Sequence, residues 1–244
     1  PDKISREELV GILKEEGVCA SEDTALPCAL HLSGLDYLMK LPSFRKGYYQ
    51  VQDISSMQVA GWADVKAGDY IIDVCAAPGG KAIHLAEALR GTGHVEARDL
   101  TDYKVQIMQD NIMRSGLLNI ETVRMDARRL DKASVGKADI VIADLPCSGL
   151  GVLGRKPDLK YKMTPEKQKE LTALQREILS VVKEYVKSGG RLLYSTCTIH
   201  RGENEDNAGW FVRQNPEFGL IREQQMLPGR DGGDGFYIAM FRRN

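Results

Sequence analysis

Two cysteines, each at the end of a short run typical of a buried strand, are the residues best suited to covalent chemistry in this chain. Cys147 lies in the segment Asp-Leu-Pro-Cys-Ser-Gly (144–149), directly after the apolar run 138–143. Cys197 lies in Ser-Thr-Cys-Thr (195–198), directly after the run 190–194. The carboxyl ends of parallel strands line the ligand crevice of an α/β protein. One free cysteine is usually a small buried hydrophobe, but two thiols brought to one crevice beside Asp144 indicate catalysis.

A second segment has the composition of a loop that binds a nucleoside. After the predicted first strand, Cys-Ala-Ala-Pro-Gly-Gly-Lys (75–81) leads into a predicted helix. Small residues let the backbone approach a ligand, and a helix N-terminus offers free N–H groups. Asp99 ends the second strand, where a carboxylate can accept hydrogen bonds from both ribose hydroxyls. Asp126, after the third strand, is placed to meet an adenine or an amino group.

The glycines of this loop exclude two common phosphate-binding motifs. A dinucleotide site needs G-x-G-x-x-G, and a P-loop needs an earlier glycine and a Ser or Thr after the lysine; Gly79-Gly80-Lys81 provides neither. The remaining ligand is a nucleoside without a pyrophosphate. S-adenosylmethionine fits, with its methionine carboxylate near the loop and its ribose on Asp99. The alternative is an ordinary βα turn in which Asp99 caps a helix.

Predicted strands and helices alternate through most of the chain, which is typical of βαβ units and a parallel sheet. A long helix is predicted to begin at Thr164-Pro165 and to end at Gly189-Gly190, with a strand from Arg191. The other predicted strands are 70–74, 94–97, 120–123, 139–143 and 236–241, and the other predicted helices in this part are 81–89 and 102–115.

The first 50 residues are expected to form a small α+β appendage on a catalytic domain of residues 51–244. Ser5 and Glu8 have capping-box spacing at the start of an amphipathic helix that extends to Glu16. The segment is too short to fold alone, so we expect it to pack on the larger domain. The chain begins at Pro1, and we expect it to be part of a longer protein.

The composition limits the class of protein and the kind of site. The five cysteines have no metal-ligand spacing, so no metal is expected, and their odd number suits a reducing cytoplasm. No run approaches the length of a membrane-spanning helix, so no membrane partner is expected. With a net charge of −1, charge alone does not decide whether the partner is a nucleic acid. We expect a monomer.

These motifs, in this order, resemble the Sun (Fmu) type, RsmB-like RNA cytosine-5 methyltransferases. The resemblance depends on segments 75–81, 144–149 and 195–198, and it extends from about residue 4 to the end. Segments 52–56, 155–158, 203–205 and 233–236 support it. It implies a Rossmann-like S-adenosylmethionine methyltransferase fold: an α/β, mostly parallel sheet of about seven strands. It also implies an RNA partner that the appendage contacts, with small-subunit ribosomal RNA as the first expectation and transfer RNA as the second.

The resemblance also implies roles for individual residues. Carbon 5 of cytosine is a poor nucleophile, and a thiolate that adds to carbon 6 makes it enamine-like. Cys197 is implied to be that thiolate, whereas DNA cytosine-5 enzymes use the cysteine of a Pro-Cys pair. Asp144 is implied to contact the cytosine edge, Lys81 to orient Asp144, and Cys147 to help release the product. The expected cofactor-binding residues are Cys75, Ala76, Ala77, Pro78, Gly79, Gly80, Lys81, Asp99, Lys104, Asp126 and Asp144.

The sequence departs from the family pattern at three positions, and several other functions remain alternatives at this point. Ala82, Leu145 and Lys104 differ from the residues common in relatives, and Lys104 could not make the bidentate ion pair of an arginine. The alternatives are a methyltransferase acting on transfer RNA, a protein or a small molecule, a nicotinamide dehydrogenase, and a non-catalytic RNA-assembly factor that keeps the fold. Both thiols and Asp99 are present, which disfavours the assembly factor.

Overall fold

The computed structural model describes residues 3–24 and 26–244 and has an α/β architecture. Its helices are α1 (Arg6–Glu15), α2 (Pro42–Arg45), α3 (Ile54–Ala63), α4 (Gly80–Ala88), α5 (Asp102–Ser115), α6 (Leu159–Lys162), α7 (Pro165–Val182) and α8 (Glu205–Gln214). Its strands are β1 (Cys19–Glu22), β2 (Leu30–Ser33), β3 (Tyr70–Asp73), β4 (His94–Asp99), β5 (Ile120–Arg124), β6 (Ala138–Asp144), β7 (Val186–Thr196), β8 (Phe218–Met226) and β9 (Phe236–Arg243).

Seven strands form one sheet in the order β5-β4-β3-β6-β7-β9-β8. All neighbouring strands from β5 to β7 are parallel, and β9 is antiparallel to both β7 and β8. This confirms the predicted α/β class and the mostly parallel sheet of seven strands. Because Asp144 pairs with Ser195 in the register of β6 and β7, the two segments that carry the cysteines leave the sheet side by side.

Helices cover both faces of the sheet, and the alternation of side chains along each strand separates two apolar cores. Ile71 faces one core, which includes residues of α3, α4 and α5. Ile72 faces the other, which includes residues of α7 and α8. Successive strand residues point to opposite faces, so a strand buried on both sides is almost continuously apolar. The two packed faces fix the carboxyl edge of the sheet, where the candidate site lies.

The predicted end of the long helix at Gly189-Gly190 is wrong. Helix α7 ends at Val182, and the two glycines lie within β7, whose register against β6 shifts between Ala138 and Ile140. A Cβ on Gly190 would lie 2.9 Å from the carbonyl oxygen of Lys187, so this close approach requires glycine. A glycine pair marks an irregular strand as well as a helix end, and the predicted strand therefore starts five residues too late.

The two helix starts that were predicted from capping residues, those of α1 and α7, are confirmed. Ser5 and Glu8 form both hydrogen bonds of the capping box before α1, and the Thr164 side chain accepts from the N–H of Lys167 before α7. The remaining predicted elements lie within about three residues of the observed bounds, which is the usual uncertainty at element ends.

The first part of the chain forms a small α+β unit with an apolar cluster around Leu9 and Leu13. Its strands β1 and β2 pair with each other and with no strand of the large sheet. Arg114 of α5 joins it to the rest of the chain, because its Nη1 donates to the carbonyl oxygens of Phe44 (3.2 Å) and Tyr49 (3.1 Å). The domain boundary at residue 50 stays a prediction.

Within residues 3–24 and 26–244, every helix is too short or too polar to span a lipid bilayer. No group of three or more histidine, cysteine or acidic side chains in those ranges could hold a metal ion.

Candidate active site

The two predicted catalytic cysteines face each other at the carboxyl edge of the sheet. Cys147 Sγ and Cys197 Sγ are 3.1 Å apart, and both thiols are free and partly buried. The loops that carry them are joined again one residue further on, where the hydroxyls of Ser148 and Thr198 are 2.7 Å apart. The structure therefore brings the two thiols to one place, as their positions after neighbouring strands predicted.

Lys81 and Asp144 form an ion pair beside the thiols. Lys81 Nζ lies 2.7 Å from Asp144 Oδ2, and Ser195 Oγ donates to Asp144 Oδ1 at 2.8 Å. Lys81 Nζ also lies 5.2 Å from the centre of the Phe236 ring. The carboxylate is thus held from both sides, by residues on α4 and β7. The predicted proximity of Lys81 and Asp144 agrees with this geometry.

The two thiols are electrostatically different. A hydrogen bond from Cys147 lowers the pKa of Cys197, with the Lys81 charge in support and burial and Asp144 in opposition. The same hydrogen bond raises the pKa of Cys147 well above its ordinary value, and burial adds to this effect. The arrangement favours a thiolate on Cys197 that accepts from the thiol of Cys147. The thiolate is the nucleophilic form of a cysteine, so the lowered pKa makes Cys197 the better candidate for a nucleophile of the two.

A network of buried polar side chains lies behind the cysteine loops. Glu203 Oε2 accepts from the backbone N–H of Ser148 (2.9 Å) and from Gln175 Nε2 (3.0 Å). Asn204 Oδ1 accepts from Thr196 Oγ1 (2.6 Å), and Asn204 Nδ2 donates to the carbonyl oxygen of Thr198 (3.0 Å). Glu203 thus contacts the Cys147 loop, and Asn204 contacts the Cys197 loop.

The predicted nucleoside loop connects β3 to the first turn of α4. Asp99 is 3% exposed and accepts from the N–H of Ala77 (3.1 Å) and of Leu100 (2.7 Å). Lys104 Nζ lies 2.9 Å from Asp99 Oδ1, so the expected single-point ion pair is formed. The N-cap of α5 is Thr101, which does not support the alternative in which Asp99 caps this helix.

Asp73 is a residue of this region that the sequence reasoning missed. It is buried, and its Oδ2 has no hydrogen-bond partner among the described residues. Burial, and then the charge of Asp144, raise the pKa of Asp73 to about 7. An acidic residue inside the apolar run Ile71-Ile72-Asp73-Val74 was the available signal. The unsatisfied oxygen, the nearby Asp99 and the small-residue loop fit a ligand that carries a ribose and a cationic or amino group.

Asp126 lies just beyond β5, and its carboxylate is bonded to Arg128. Arg128 Nε and Nη2 donate to its two oxygens at 3.0 and 2.7 Å, and this contact lowers the pKa of Asp126. The predicted contact between Asp126 and an adenine or amino group stays a prediction. A ligand in that position would meet a carboxylate already held by an arginine.

A cleft of about 820 Å³ is lined by the first part of the chain and by residues of α3 and α4, including Gly80. Tyr48, Tyr49, His31 and Arg155 also line it. Arg155 is held there by Asp53 (2.6 Å) and by Asp234. A cleft of this volume is within the range of small-molecule binding sites.

The chain was compared with families of known proteins and with individual relatives. A family model described as 16S rRNA methyltransferase RsmB/F matches residues 60–242. The chain is 35% identical over 261 residues to the probable ribosomal RNA small subunit methyltransferase B of Bacillus subtilis. That alignment covers 99% of this chain and 58% of the relative, so the chain spans little more than half the length of that protein.

Two solved structures are similar over nearly the whole chain. The structure of PH0851 is 32% identical, with a TM-score of 0.95 over 99% of this chain and 57% of that one. NSun6 from Pyrococcus horikoshii, solved with SFG, is 26% identical, with a TM-score of 0.89 over 99% of this chain and 88% of that one. These comparisons confirm the predicted fold and the family that the sequence resembles.

Proposed function

The chain belongs to the 16S rRNA methyltransferase RsmB/F family, and from this premise we propose that it methylates carbon 5 of a cytosine in small-subunit ribosomal RNA. The observation that carries the proposal is the pair of thiols 3.1 Å apart beside the Lys81–Asp144 ion pair. An activated thiolate is the group that covalent activation of a pyrimidine requires, and the second thiol and the paired carboxylate can assist it. We place this reaction in the cytoplasm.

In the proposed reaction, Cys197 is the nucleophile. Its Sγ forms a bond to carbon 6 of the cytosine, and the electron pair of the 5,6 double bond becomes available at carbon 5. The lowered pKa of Cys197 supports this role, because more of the thiol is ionised near neutral pH. S-adenosylmethionine, when bound, supplies the methyl group that carbon 5 takes. A base then takes the proton from carbon 5, the electron pair of that C–H bond restores the 5,6 double bond, and the Cys197 sulfur leaves as a thiolate.

Asp144 and Lys81 are proposed to hold the cytosine edge while negative charge develops. Asp144 is 26% exposed and Lys81 is 14% exposed, so the carboxylate is the more accessible member of the pair. A carboxylate in this position can hold a proton near N3 or accept a hydrogen bond from N4. Lys81 and Ser195 each occupy one oxygen of Asp144 and thereby fix its orientation.

Cys147 is proposed to assist the release of the product. Its raised pKa keeps it protonated at neutral pH, which makes it the donor towards a Cys197 thiolate. A thiol whose sulfur lies 3.1 Å from the leaving sulfur can stabilise that thiolate as the carbon–sulfur bond breaks. The two cysteines thus take different roles because their pKa values are shifted in opposite directions.

S-adenosylmethionine is proposed to bind along the loop Cys75–Lys81. Asp99 would hold the ribose, and the carboxylates of Asp73 and Asp99 would attract a cationic ligand. Both carboxylates are buried, and Asp73 has an oxygen without a partner among the described residues. The RNA is proposed to enter through the cleft that Arg155 borders, with the first part of the chain as its opposite wall.

Methyl transfer from labelled cofactor to defined RNAs tests this function. The protein is incubated with deproteinised 16S rRNA, with small ribosomal subunits and with bulk transfer RNA. The methylated nucleoside is then identified by mass spectrometry after digestion. We expect 5-methylcytosine in one of the 16S samples. Label on transfer RNA alone would show that transfer RNA, and not ribosomal RNA, is the substrate. Label on protein or on another nucleoside position would overturn the proposed reaction.

A further inference from the structure

The geometry points to Glu203 as a positioning residue for the two thiols: we propose that its carboxylate holds the Cys147 loop in the place where Cys147 can donate to Cys197. This inference rests on the proposed function, in which the thiol pair is the reacting centre. Glu203 touches neither thiol, so its effect on Cys197 passes through the loop after β6 and the thiol of Cys147.

Glu203 is a buried carboxylate in an unusual environment for a charged group. None of its surface is exposed. Its Oε2 accepts two hydrogen bonds, one from the Ser148 backbone N–H at 2.9 Å and one from Gln175 Nε2 at 3.0 Å. Its Oε1 lies 3.5 Å from His200 Nδ1. That contact is not a hydrogen bond, so Oε2 alone accepts the hydrogen bonds of this side chain among the described residues. These two hydrogen bonds hold the carboxylate in one orientation.

These contacts are made with the loop that carries Cys147. Ser148 is the next residue along the chain, and its N–H is fixed by Glu203. Gln175 on α7 donates to the carbonyl oxygen of Pro146 (2.9 Å) as well as to Glu203. The peptide groups on both sides of Cys147 are therefore held through one carboxylate–amide pair.

The residue after Glu203 holds the Cys197 loop in a similar way. Asn204, the neighbour of Glu203, bonds to the Thr196 hydroxyl and to the Thr198 carbonyl oxygen. The Ser148 and Thr198 hydroxyls then join the two loops directly. A shift of Glu203 would move Cys147 relative to Cys197 and weaken the hydrogen bond between their sulfur atoms.

Substitutions of Glu203 distinguish the effect of its side-chain length from the effect of its charge. Glu203→Gln keeps an oxygen that accepts from Ser148 and Gln175 but loses the charge. Glu203→Asp keeps the charge but is one methylene too short to reach both donors. A positioning role predicts that Gln preserves the thiol pair better than Asp does. Glu203→Ala removes the contacts altogether, and Gln and Asp keep the test informative if Ala does not fold.

The measurement is the pH at which the alkylation rate of Cys197 by iodoacetamide is half-maximal, followed by peptide mass spectrometry. We expect this midpoint to rise by about one pH unit in Ala and Asp, so that Cys197 reacts about tenfold more slowly near neutral pH. In Gln we expect it to change little. The midpoint reports the pKa of the thiol, so a loop that merely became more accessible would not shift it.

Asp69→Ala is the matched control for a general loss of stability. Asp69 is also a buried carboxylate, it accepts from the Lys66 N–H at 2.9 Å, and it precedes the amino end of β3, away from the thiols. We expect it to lower the melting temperature without moving the Cys197 midpoint. An unchanged midpoint in Ala and Asp, or a midpoint that rises in Gln but not in Asp, overturns the proposal. The assay uses no RNA and no cofactor, so a wild-type protein that fails to methylate RNA would overturn the proposed function alone.

Discussion

Cys75 and Cys197 both lie in loops at the carboxyl edge of the same sheet, yet their surroundings act on them in opposite directions. Burial raises the pKa of Cys75 far above its ordinary value, and the charges of Asp73, Asp99 and Asp144 add to the effect. For Cys197, a hydrogen bond from Cys147 and the charge of Lys81 outweigh burial and Asp144. Both thiols are partly buried, so burial alone does not explain the difference.

What distinguishes the two loops is the donor that each thiol meets. The Cys75 loop is lined by carboxylates and suits a cationic ligand, and in it a thiolate would be repelled. Cys197 instead meets a second thiol, which lies 3.1 Å away on the loop after β6, and the charge of Lys81 in the first turn of α4. A position after a strand therefore makes a cysteine a candidate, and its neighbours decide whether it is a nucleophile.

The largest effect is expected from removal of the activated thiol. Cys197→Ala should lower methyl transfer by about 10⁴-fold or more, the usual consequence of removing a covalent nucleophile, and should abolish any covalent protein–RNA adduct. The measurement is label incorporation together with denaturing gel electrophoresis of the complex. Cys19→Ala removes an exposed thiol of β1 and is the matched control, with activity retained. Residual turnover through an adduct in Cys197→Ala would reverse the assignment.

Removal of the partner thiol should give a different defect. Cys147→Ala leaves the nucleophile but takes away the proton donor for its departure, so turnover should fall by about 100-fold while a covalent adduct accumulates. Addition also slows because the pKa of Cys197 rises, but release is impaired more. Gel electrophoresis of the denatured complex after a single turnover shows the adduct. If no adduct accumulates in this variant but one persists in Cys197→Ala, the two roles are exchanged.

The buried carboxylate of Asp73, close to Cys75, should make the stability of the fold depend on pH. The pKa of Asp73 is raised to about 7 in the folded protein, whereas an unfolded aspartate ionises near pH 4. At pH 5.5 the folded state therefore holds a proton that the unfolded chain has lost, and this advantage disappears as the pH rises through 7. Asp73 should thus reduce the free energy of unfolding by about 2 kcal/mol between pH 5.5 and pH 8.

Urea denaturation at these two pH values tests the assignment with Asp73→Asn. The amide has the same shape and cannot ionise, so the fall in the free energy of unfolding between pH 5.5 and pH 8 should be smaller by about 2 kcal/mol in the variant. An equal fall in both proteins would show that Asp73 does not titrate in this range. Because Asp73 also raises the pKa of Cys75, the alkylation of Cys75 should become faster in the same variant.

The sequence predicted much of this edge of the sheet because its signals are local. Apolar strands that end in Asp144 and Asp99, and loops of small residues, are visible without any partner. The position of each thiol depends only on the order of β6 and β7, which βαβ connections make predictable. The segments 75–81, 144–149 and 195–198 were therefore correctly placed together.

The contacts of Glu203 and Gln175 with the cysteine loops were not predicted, since they depend on the packing of distant parts of the chain. Segment 203–205 supported the family resemblance, but within the polar stretch 200–206 Glu203 has the appearance of a solvated loop residue. Only the packing of α7 against this stretch turns it into a buried acceptor. A glutamine among Leu171, Leu174 and Ile178 on the apolar face of α7 was the one local sign. Gly189 and Gly190 led to a wrong prediction for a different reason. A glycine pair is typical both of a helix end and of an irregular strand, and here it lies within β7.

The smallest effect separates the two thiols most directly, because the lysine beside Cys197 and the lysine paired with Asp99 can be removed one at a time. Lys81→Met removes the charge beside Cys197 and leaves Asp144 without its ion-pair partner, so the pKa of Cys197 should rise by about one unit. Adduct formation needs the thiolate; its rate should therefore be about tenfold lower near neutral pH and should recover as the pH is raised. Lys104→Met removes the lysine paired with Asp99 in the Cys75 loop and should weaken cofactor binding without moving the Cys197 midpoint. Equal shifts in the two variants, measured by pH-dependent alkylation of Cys197, would mean that a diffuse positive field rather than the adjacent Lys81 activates the thiol.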